Sequence, residues 1–475
     1  VNIVDVIRRE TGAMRDKTAV VEGGRQLTYG ELLSAAERFG EVLRTAGIRP
    51  ADRVAFVCGD SADYIIGSLA ILRLSAVMVP VSPSLMLDET EQVFERMDVN
   101  WIVSDARARR GGEERLAGLA AGLTDFRLAR RAAGPPPDGY GATNPAFIRF
   151  SSGTTGASKG ILLSHESIVA RTDAADAALR VTSADVIPWV LSMSFHYVVT
   201  ILLFLRRGAA IVLCGEPPFP EAFARAVRDR RGTLLYASPF HYHVLAHAPF
   251  VAPADLAGVR LAVSTAMSLP AETAAAFARK FGAELAEAYG IIEVGLPFAN
   301  APARRDKRGS VGRALPAYAC RIADPGPDGV GEILVRGPGL FDAYVSPWRP
   351  REAALSDGWF RTGDLGRRDA DGFLFIVGRE KNVINFAGMK IFPAEVEAAI
   401  GRHPAVAECM VYGVAHPQYG QVPRARVVLK DGASFDEAEL RRCCYRHLAA
   451  HKVPKVIERT AALERTASGK IRRTP

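Results

Sequence analysis

The sequence predicts an α/β protein, with a large N-terminal domain of packed β-sheets and helices followed by a small C-terminal α+β domain. Three observations carry this. Over roughly the first 300 residues, strand-like apolar runs alternate with helix-like ones, as in parallel sheets covered by helices. From about residue 310 that texture gives way to short alternating strands separated by turn residues. The chain has 475 residues, enough for two to four domains at roughly 150 each and for a large buried core. The boundary falls near Arg379–Lys381, dividing residues 1–379 from 380–475.

The elements follow in order. LTYGELLSAAERFGEVLRTAG (27–47) is an amphipathic helix stopped by Gly47. RVAFVCG (53–59) is a buried strand, YIIGSLAILRLSA (64–76) a helix, VMVPVSP a strand and turn, and NWIVSD (100–105) another strand. Residues 106–145 are rich in Arg, Ala, Gly and Pro, and GPPPDGYGATNP within them reads as a surface linker. FIRF (147–150) alternates like a strand, and ILLSHESIVA (161–170) is a strand end or turn entering a helix. YVVTILLFL (197–205) reads as a buried helix, since it falls short of the ~18–20 residues that span a bilayer. AAIVLCG, TLLYASP and RLAVSTA are strands, each near a helix. Further on, GEILVRGPG, GWFRTGDLGRRDADGFLFIVGR and KNVINFAGMKIF are short strands with turns. PAEVEAAIGRHPAVAECMVYGV and DEAELRRCCYRHLAAHKVPKVIER are each a helix and then a strand, ahead of the polar tail TASGKIRRTP.

Composition narrows the function. Hydrophobic residues at 48% and charged ones at 24% are ordinary for a soluble globular chain. The net charge of +8 is mild, and the arginines are scattered rather than gathered in a stripe. This excludes a nucleic-acid partner and suits a polyphosphate or acidic one. Six cysteines without a C-x-x-C pair, two of them adjacent at Cys443–Cys444, indicate a reduced, cytoplasmic protein. The N-terminal VNIVDVIRRE has no signal-peptide core. HYH at 241–243 lacks a third ligand nearby and reads as a loop or helix start.

FSSGTTGASKGILLSH (150–165) is the first stretch that carries chemistry. Glycines and hydroxyls this dense bring backbone N–H groups close to an anion, which points to phosphate. The Walker pattern G-x-x-x-x-G-K-[ST] does not fit: counted from Gly153, its second glycine falls on Ser158, and Gly160 follows Lys159 where a hydroxyl is required. A P-loop kinase or GTPase is thereby disfavoured. Three further segments stand in series with this one: AYGIIEVG (288–295), RTGDLGRRDADGFLFIVGREKNVINFAGMKIFPAEVE (361–397) and RTASGKIRR (465–473).

Together the four segments resemble the adenylate-forming superfamily of acyl-CoA synthetases, aryl-CoA ligases, luciferases and peptide-synthetase adenylation domains, closest in character to the acyl- and aryl-CoA ligases. The resemblance covers essentially the whole chain. It implies a mobile C-terminal domain hinged at Lys381. It also implies a two-step reaction: a carboxylate attacks the α-phosphate of ATP to give acyl-AMP and pyrophosphate, and a thiol then displaces AMP. The carboxylate is already a nucleophile, so the first step needs charge neutralisation and in-line positioning rather than a Ser–His–Asp set. By the same resemblance Ser151, Ser152, Gly153, Thr154, Thr155 and Gly156 would hold the β- and γ-phosphates, with Lys159 as a nearby cation. Tyr289, with Gly290 beside it, would stack on adenine, and Ala266 in STAM would lie in the adenine loop. Glu293 would be the Mg2+ ligand. Asp364 and Arg379 would hold the ribose, since a carboxylate accepts from both hydroxyls of a diol. Lys390 would approach the α-phosphate, Gly388 would line the pantetheine path, and Lys470 would neutralise the adenylation transition state.

Two departures from the family pattern stand out. Ile292 replaces the usual Thr before the Glu, removing a hydroxyl expected at the α-phosphate, and STAM replaces a Gly-Ala-rich loop. They motivate a competing class, a catalytically weakened adenylate-binding relative. The acyl pocket would be walled by His196, Tyr197, Thr200, Ser238, Ser264, Ala288, Leu296 and Pro297. Members that activate α-amino acids place Asp at the position of His196, so the acid is expected to be aromatic or medium-length aliphatic. The acceptor is CoA or the phosphopantetheine arm of an acyl carrier protein, and a stand-alone acyl- or β-amino-acid–carrier-protein ligase is the alternative. No membrane span is expected.

Overall fold

The computed structural model describes residues 1–105, 114–116, 125–151, 159–214, 220–387, 389–465 and 471–472. The chain forms two compact units: Val1–Ala319 with Val335–Phe360, and Cys320–Leu334 with Arg361–Pro475.

The first unit holds three sheets. In the largest, nine strands among the described residues run in the order 349–350, 343–344, 159–164, 145–151, 77–81, 53–57, 101–104, 127–130, 114–115. Arg53–Val57 pairs in parallel with Val77–Val81 and Trp101–Ser104, and the helix Ala62–Arg73 makes the crossover between the first two. All five residues of each of the first two strands are buried, as both faces of a covered parallel sheet require. The helix Tyr29–Thr45 begins at a capping box in which Thr28 and Glu31 satisfy each other's backbone N–H. A second sheet runs Val186–Trp189, Ala210–Leu213, Thr18–Glu22, Arg25–Thr28. The third runs Leu234–Ala237, Leu261–Ser264, Ala286–Ile291, Gly295–Ala299, Arg313–Ala314; its first three strands are parallel and so deliver their carboxyl ends to one edge.

The second unit has a four-stranded sheet (Ala319–Ala323, Gly331–Arg336, Phe360–Arg368, Leu374–Arg379). It also has a five-stranded sheet, ordered Met389–Ile391, Ile384–Phe386, Gly420–Leu429, Val406–His416, with Val456–Arg459 parallel to Gly420–Leu429. The helices Pro393–Ile400 and Glu437–Tyr445 cover the second sheet, where Val396, Ile400, Leu440 and Cys444 join Val411, Ala425 and Val427 in one core.

Two local expectations are corrected. The helix expected over 197–205 spans Ile201–Arg206, because the preceding residues are turned: the His196 N–H donates to Ser192 O at 2.9 Å and Thr200 Oγ1 to His196 O at 3.0 Å. β-Branched Val198, Val199 and Thr200 have little helix preference to oppose this. The stretch GPPPDGYGATNP is not wholly surface: Tyr140 is 1% exposed, its ring 6.0 Å from that of Trp348. HYH lies inside the helix Pro239–His247, which Pro239 opens.

Glu287, on the strand Ala286–Ile291, is 7% exposed, and its Oε1 accepts the Gly309 N–H at 2.7 Å. Burial pushes its carboxyl from an ordinary 4.5 up to about 7. The folded state therefore binds this proton more tightly than the unfolded chain does, so the group's contribution to stability falls as pH rises between those two values. Glu287→Gln keeps the acceptor and the shape without the charge. It should gain on the order of 1–3 kcal/mol at about pH 8 and little at about pH 4.5. Urea unfolding at both pH values checks this; a difference independent of pH would contradict it.

Candidate active site

The antiparallel pair Pro145–Ser151 and Lys159–Ser164 brings Ser151 opposite Lys159, at the two ends of the Gly- and hydroxyl-rich stretch. Ser152, Gly153, Thr154, Thr155 and Gly156 lie outside the described residues. The Lys159 ammonium sits 5.0 Å from the centre of the Tyr344 ring, and the Glu293 carboxylate acts electrostatically on the Tyr344 phenol. Burial, with Glu293 beside it, pushes the Tyr344 phenol well up, so it stays a neutral donor.

Glu293 sits in the turn between the strands Ala286–Ile291 and Gly295–Ala299. That turn is held from outside. Arg171, fully buried on the helix His165–Leu179, donates Nη1 to Ile292 O at 3.0 Å and Nη2 to Gly339 O at 2.5 Å. Glu293 O accepts the Phe341 N–H at 2.7 Å. Gly295 takes φ +82°, a conformation that favours glycine, and a Cβ there would press on Arg171 Cβ at 3.2 Å. Arg149, on the strand before the phosphate stretch, is attracted electrostatically to Glu293, and burial lowers its guanidinium and that of Arg171 to about 10 each, leaving both charged. Glu293 is thus a carboxylate among cations, with a fixed backbone and a half-buried side chain.

Five of the expected acyl-wall residues, Ser238, Ser264, Ala288, Leu296 and Pro297, lie on or beside strands of the third sheet, whereas His196, Tyr197 and Thr200 lie in the turned segment before the helix Ile201–Arg206. Ser264 ends one strand beside Ala237 of the next, and Ser238 follows Ala237, capping the helix Pro239–His247. Ala288 is on the neighbouring strand, opposite Ala299, and Leu296 and Pro297 are on the strand after the Glu293 turn. Tyr197, Thr200, Ser238, Ser264, Ala288, Leu296 and Pro297 are buried, whereas His196 is half-buried. Ser238 Oγ is 2.7 Å from His241 Nδ1, and burial lowers that imidazole to about 4, so His241 is neutral. Tyr197 packs edge-on against Tyr64, ring centres 5.6 Å apart. Tyr289, half-buried, lies opposite Phe298, and a Cβ on Gly290 would stand 2.2 Å from Gly295 O. Ala266 is exposed and holds φ +72°, a left-handed conformation that costs a side-chain-bearing residue roughly 1–2 kcal/mol.

In the second unit the strands Phe360–Arg368 and Leu374–Arg379 pair antiparallel with Asp364 opposite Arg379. Asp364 is 4% exposed, and its Oδ1 accepts Arg379 Nε at 2.6 Å. Thr362 Oγ1 accepts the Asp364 N–H at 3.1 Å, and the Glu332 Oε1 accepts the Gly363 N–H at 3.0 Å. Lys381 is in the turn Glu380–Asn382; burial and the neighbouring Arg379 hold its ammonium below the usual range. Lys390 lies on the strand Met389–Ile391, paired with Asn385. Gly388 and Lys470 are outside the described residues.

Sequence reading passed over Arg149, Arg171 and Tyr344. Arg149 left a signal, a lone cation inside an apolar run leading into a phosphate-type loop. Arg171 and Tyr344 left none, since each is joined to Glu293 only through space.

A model of the AMP-binding enzyme family matches residues 7–345, and one of the AMP-binding enzyme C-terminal domain matches residues 395–470. The chain is 32% identical over 481 residues to a feruloyl-CoA synthase from Amycolatopsis sp., covering 96% of this chain and 94% of the relative. It is 30% identical over 509 residues to an indoleacetate–CoA ligase from Aromatoleum aromaticum, covering 98% and 96%. Among solved structures, ATP-bound MatB from Rhodopseudomonas palustris matches with a TM-score of 0.85 at 27% identity, covering 99% of this chain and 97% of that one. The ordered motifs, the carboxylate held among cations and these full-length likenesses agree: the chain belongs to the AMP-binding enzyme family, within the adenylate-forming superfamily, and has the character of its acyl- and aryl-CoA ligases.

Proposed function

We propose that this AMP-forming acid–CoA ligase acts on an aromatic or medium-length aliphatic acid without an α-ammonium group. In the first step a carboxylate oxygen bonds to the α-phosphorus of ATP and the bond to pyrophosphate breaks. In the second, the thiol of CoA bonds to the acyl carbon and AMP leaves. The observation that carries the reading is the Glu293 carboxylate, held by its fixed turn among Arg149, Arg171 and Lys159–Tyr344. Such an arrangement stabilises anionic groups and orients them without reorganising during reaction. The relatives named for ligating feruloyl and indoleacetate groups to CoA support an aryl acid and CoA as acceptor.

The residues fit magnesium. Mg2+ is ordinarily held by one or two carboxylates together with substrate phosphates rather than by an all-protein cage. Glu293 supplies one such carboxylate, and among the described residues no group of three His, Cys, Asp or Glu is assembled. When bound, the ion would add positive charge at the polyphosphate. In the same reading Ser151–Gly156 and Lys159 bind the β- and γ-phosphates. Tyr289 and Gly290 face adenine with Ala266, and Ile292 borders the α-phosphate. Asp364 and Arg379 take the ribose hydroxyls, Lys390 serves the α-phosphate, Gly388 borders the pantetheine path, and Lys381 is the pivot between the two steps.

Pyrophosphate exchange with a panel of aryl, aliphatic and α-amino acids tests the substrate class. With His196 in place of a carboxylate, an α-ammonium group would be desolvated without a partner. Exchange should be fastest with an aryl or aliphatic acid; a free α-amino acid as best substrate would refute this reading. Absence of exchange with every acid, despite ATP binding, would favour the adenylate-binding alternative, which Ile292 motivates.

Lys470→Ala should lower acyl-adenylate formation by ~10²–10³-fold, the usual loss when a cation aimed at the transition state is removed. Thioester formation from a supplied acyl-adenylate should be largely spared. Rapid-quench measurement of each half-reaction checks this, and equal losses in both would contradict separate roles for the two steps.

A further inference from the structure

We propose that Arg149 is a positioning residue for the acid: its guanidinium sets the Ser192–Thr200 loop against the strand that leads into the phosphate-binding stretch. The inference rests on the reading of that loop as part of the acyl wall.

Ile148 is fully buried in a core with Val79 and Leu162, so its strand neighbour Arg149 projects from the opposite face of the sheet. There Arg149 Nη1 donates to Phe195 O, and its Cζ lies 5.0 Å from the Phe195 ring centre. A guanidinium can donate in its plane while stacking on a ring with its face, a combination an ammonium cannot reproduce. The loop is not part of a β-ladder among the described residues. Its internal bonds are turns, from the Phe195 and His196 N–H groups to Ser192 O at 3.1 and 2.9 Å. Charged side chains hold it from outside: Arg149 at Phe195, and Asp60 at the Met193 N–H, 2.8 Å from Oδ1. His196 follows the held carbonyl directly, so the direction in which it leaves the loop depends on Arg149. The strand itself runs on through Ser151 into the phosphate stretch, and Arg149 is attracted to Glu293. One side chain therefore relates the acyl wall to the phosphate side.

An apolar residue would fill the position without the cost of burying a charge. The guanidinium is consistent with a demand for placement rather than packing. Arg149 acts on the acid through Phe195 and His196 and need not touch it.

The test compares wild type, Arg149→Met and Arg149→Lys by pyrophosphate exchange, using the best acid of the panel and two others of different length. Thermal unfolding and MgATP-induced stabilisation are measured alongside. Loss of a charge-assisted hydrogen bond corresponds to roughly a tenfold effect. Arg149→Met should raise the acid KM about tenfold and change the order of preference among the three acids. The KM for ATP should rise by a clearly smaller factor than the acid KM, since Arg149 also lies near Glu293, and Arg149→Lys should recover part of the acid KM. An unchanged acid KM in a folded Met variant, or acid and ATP KM rising by the same factor, overturns the proposal while leaving the ligase reading intact. Exchange by wild type with no acid overturns both. Should the Met variant fail to fold, Arg149→Gln, which keeps a donor but no charge, is judged by the same criteria.

Discussion

The guanidinium of Arg171 has no solvent exposure, and the turn that presents Glu293 is built on it. Burying a charge is costly unless hydrogen bonds and nearby opposite charges compensate. Here two backbone carbonyls, Ile292 O and Gly339 O, accept from it, and Asp342 and Glu293 add favourable electrostatics. Those carbonyls lie outside a regular ladder and would otherwise be costly to bury. Gly339, at φ +78°, admits the approach because a Cβ there would stand 2.6 Å from Arg171 Cβ. One buried cation thus fixes two loops distant in sequence and, through them, the position of the carboxylate on which the proposed chemistry turns.

A complementary device, a carboxylate that accepts a backbone N–H, recurs at three places among others. Asp105 accepts the Gly59 N–H at 2.8 Å, Asp342 the Ser164 N–H at 2.6 Å, and Glu287 the Gly309 N–H at 2.7 Å. Carboxylates fill the role, and arginines fill the complementary one for carbonyls. For a protein that handles an anionic substrate pair this has a functional consequence. The loops around the site are set by charge before any ligand arrives, so less ordering remains to be done on binding.

In the second unit the hairpin Phe360–Arg368/Leu374–Arg379 places Asp364 and Arg379 opposite each other by register alone. A one-residue slip would send the two side chains to opposite faces. The turn between the strands, closed by the Asp369 carboxylate on the Phe373 N–H at 2.8 Å, pins that register. A buried carboxylate paired with a guanidinium presents two acceptors and several donors in a small space, which is the complement of a ribose diol in the proposed reading.

Much of this was determined by the sequence alone. Alternation of apolar runs dictated the parallel sheets around Arg53–Val57 and Leu234–Ala237, because strands covered on both faces need continuous apolar residues. The resemblance to the superfamily named Asp364 and Arg379 together, and they stand opposite each other on one hairpin. Local signals were weaker where several conformations compete. The run 197–205 looked helical throughout, yet its first four residues are turned by hydrogen bonds to Ser192 and His196 that hydropathy does not encode. The strand Gly420–Leu429, central to its sheet, was passed over because a proline and two arginines interrupt its apolar pattern. What only the tertiary structure decided is which charges meet. Arg149, Arg171 and Tyr344 come from three separate elements; nothing in the sequence around Arg171 or Tyr344 marks what it meets, and the apolar run around Arg149 marks a cation without naming its partner. Burial and Coulomb attraction depend on distance in space, and a linear pattern carries that information only for residues that share an element.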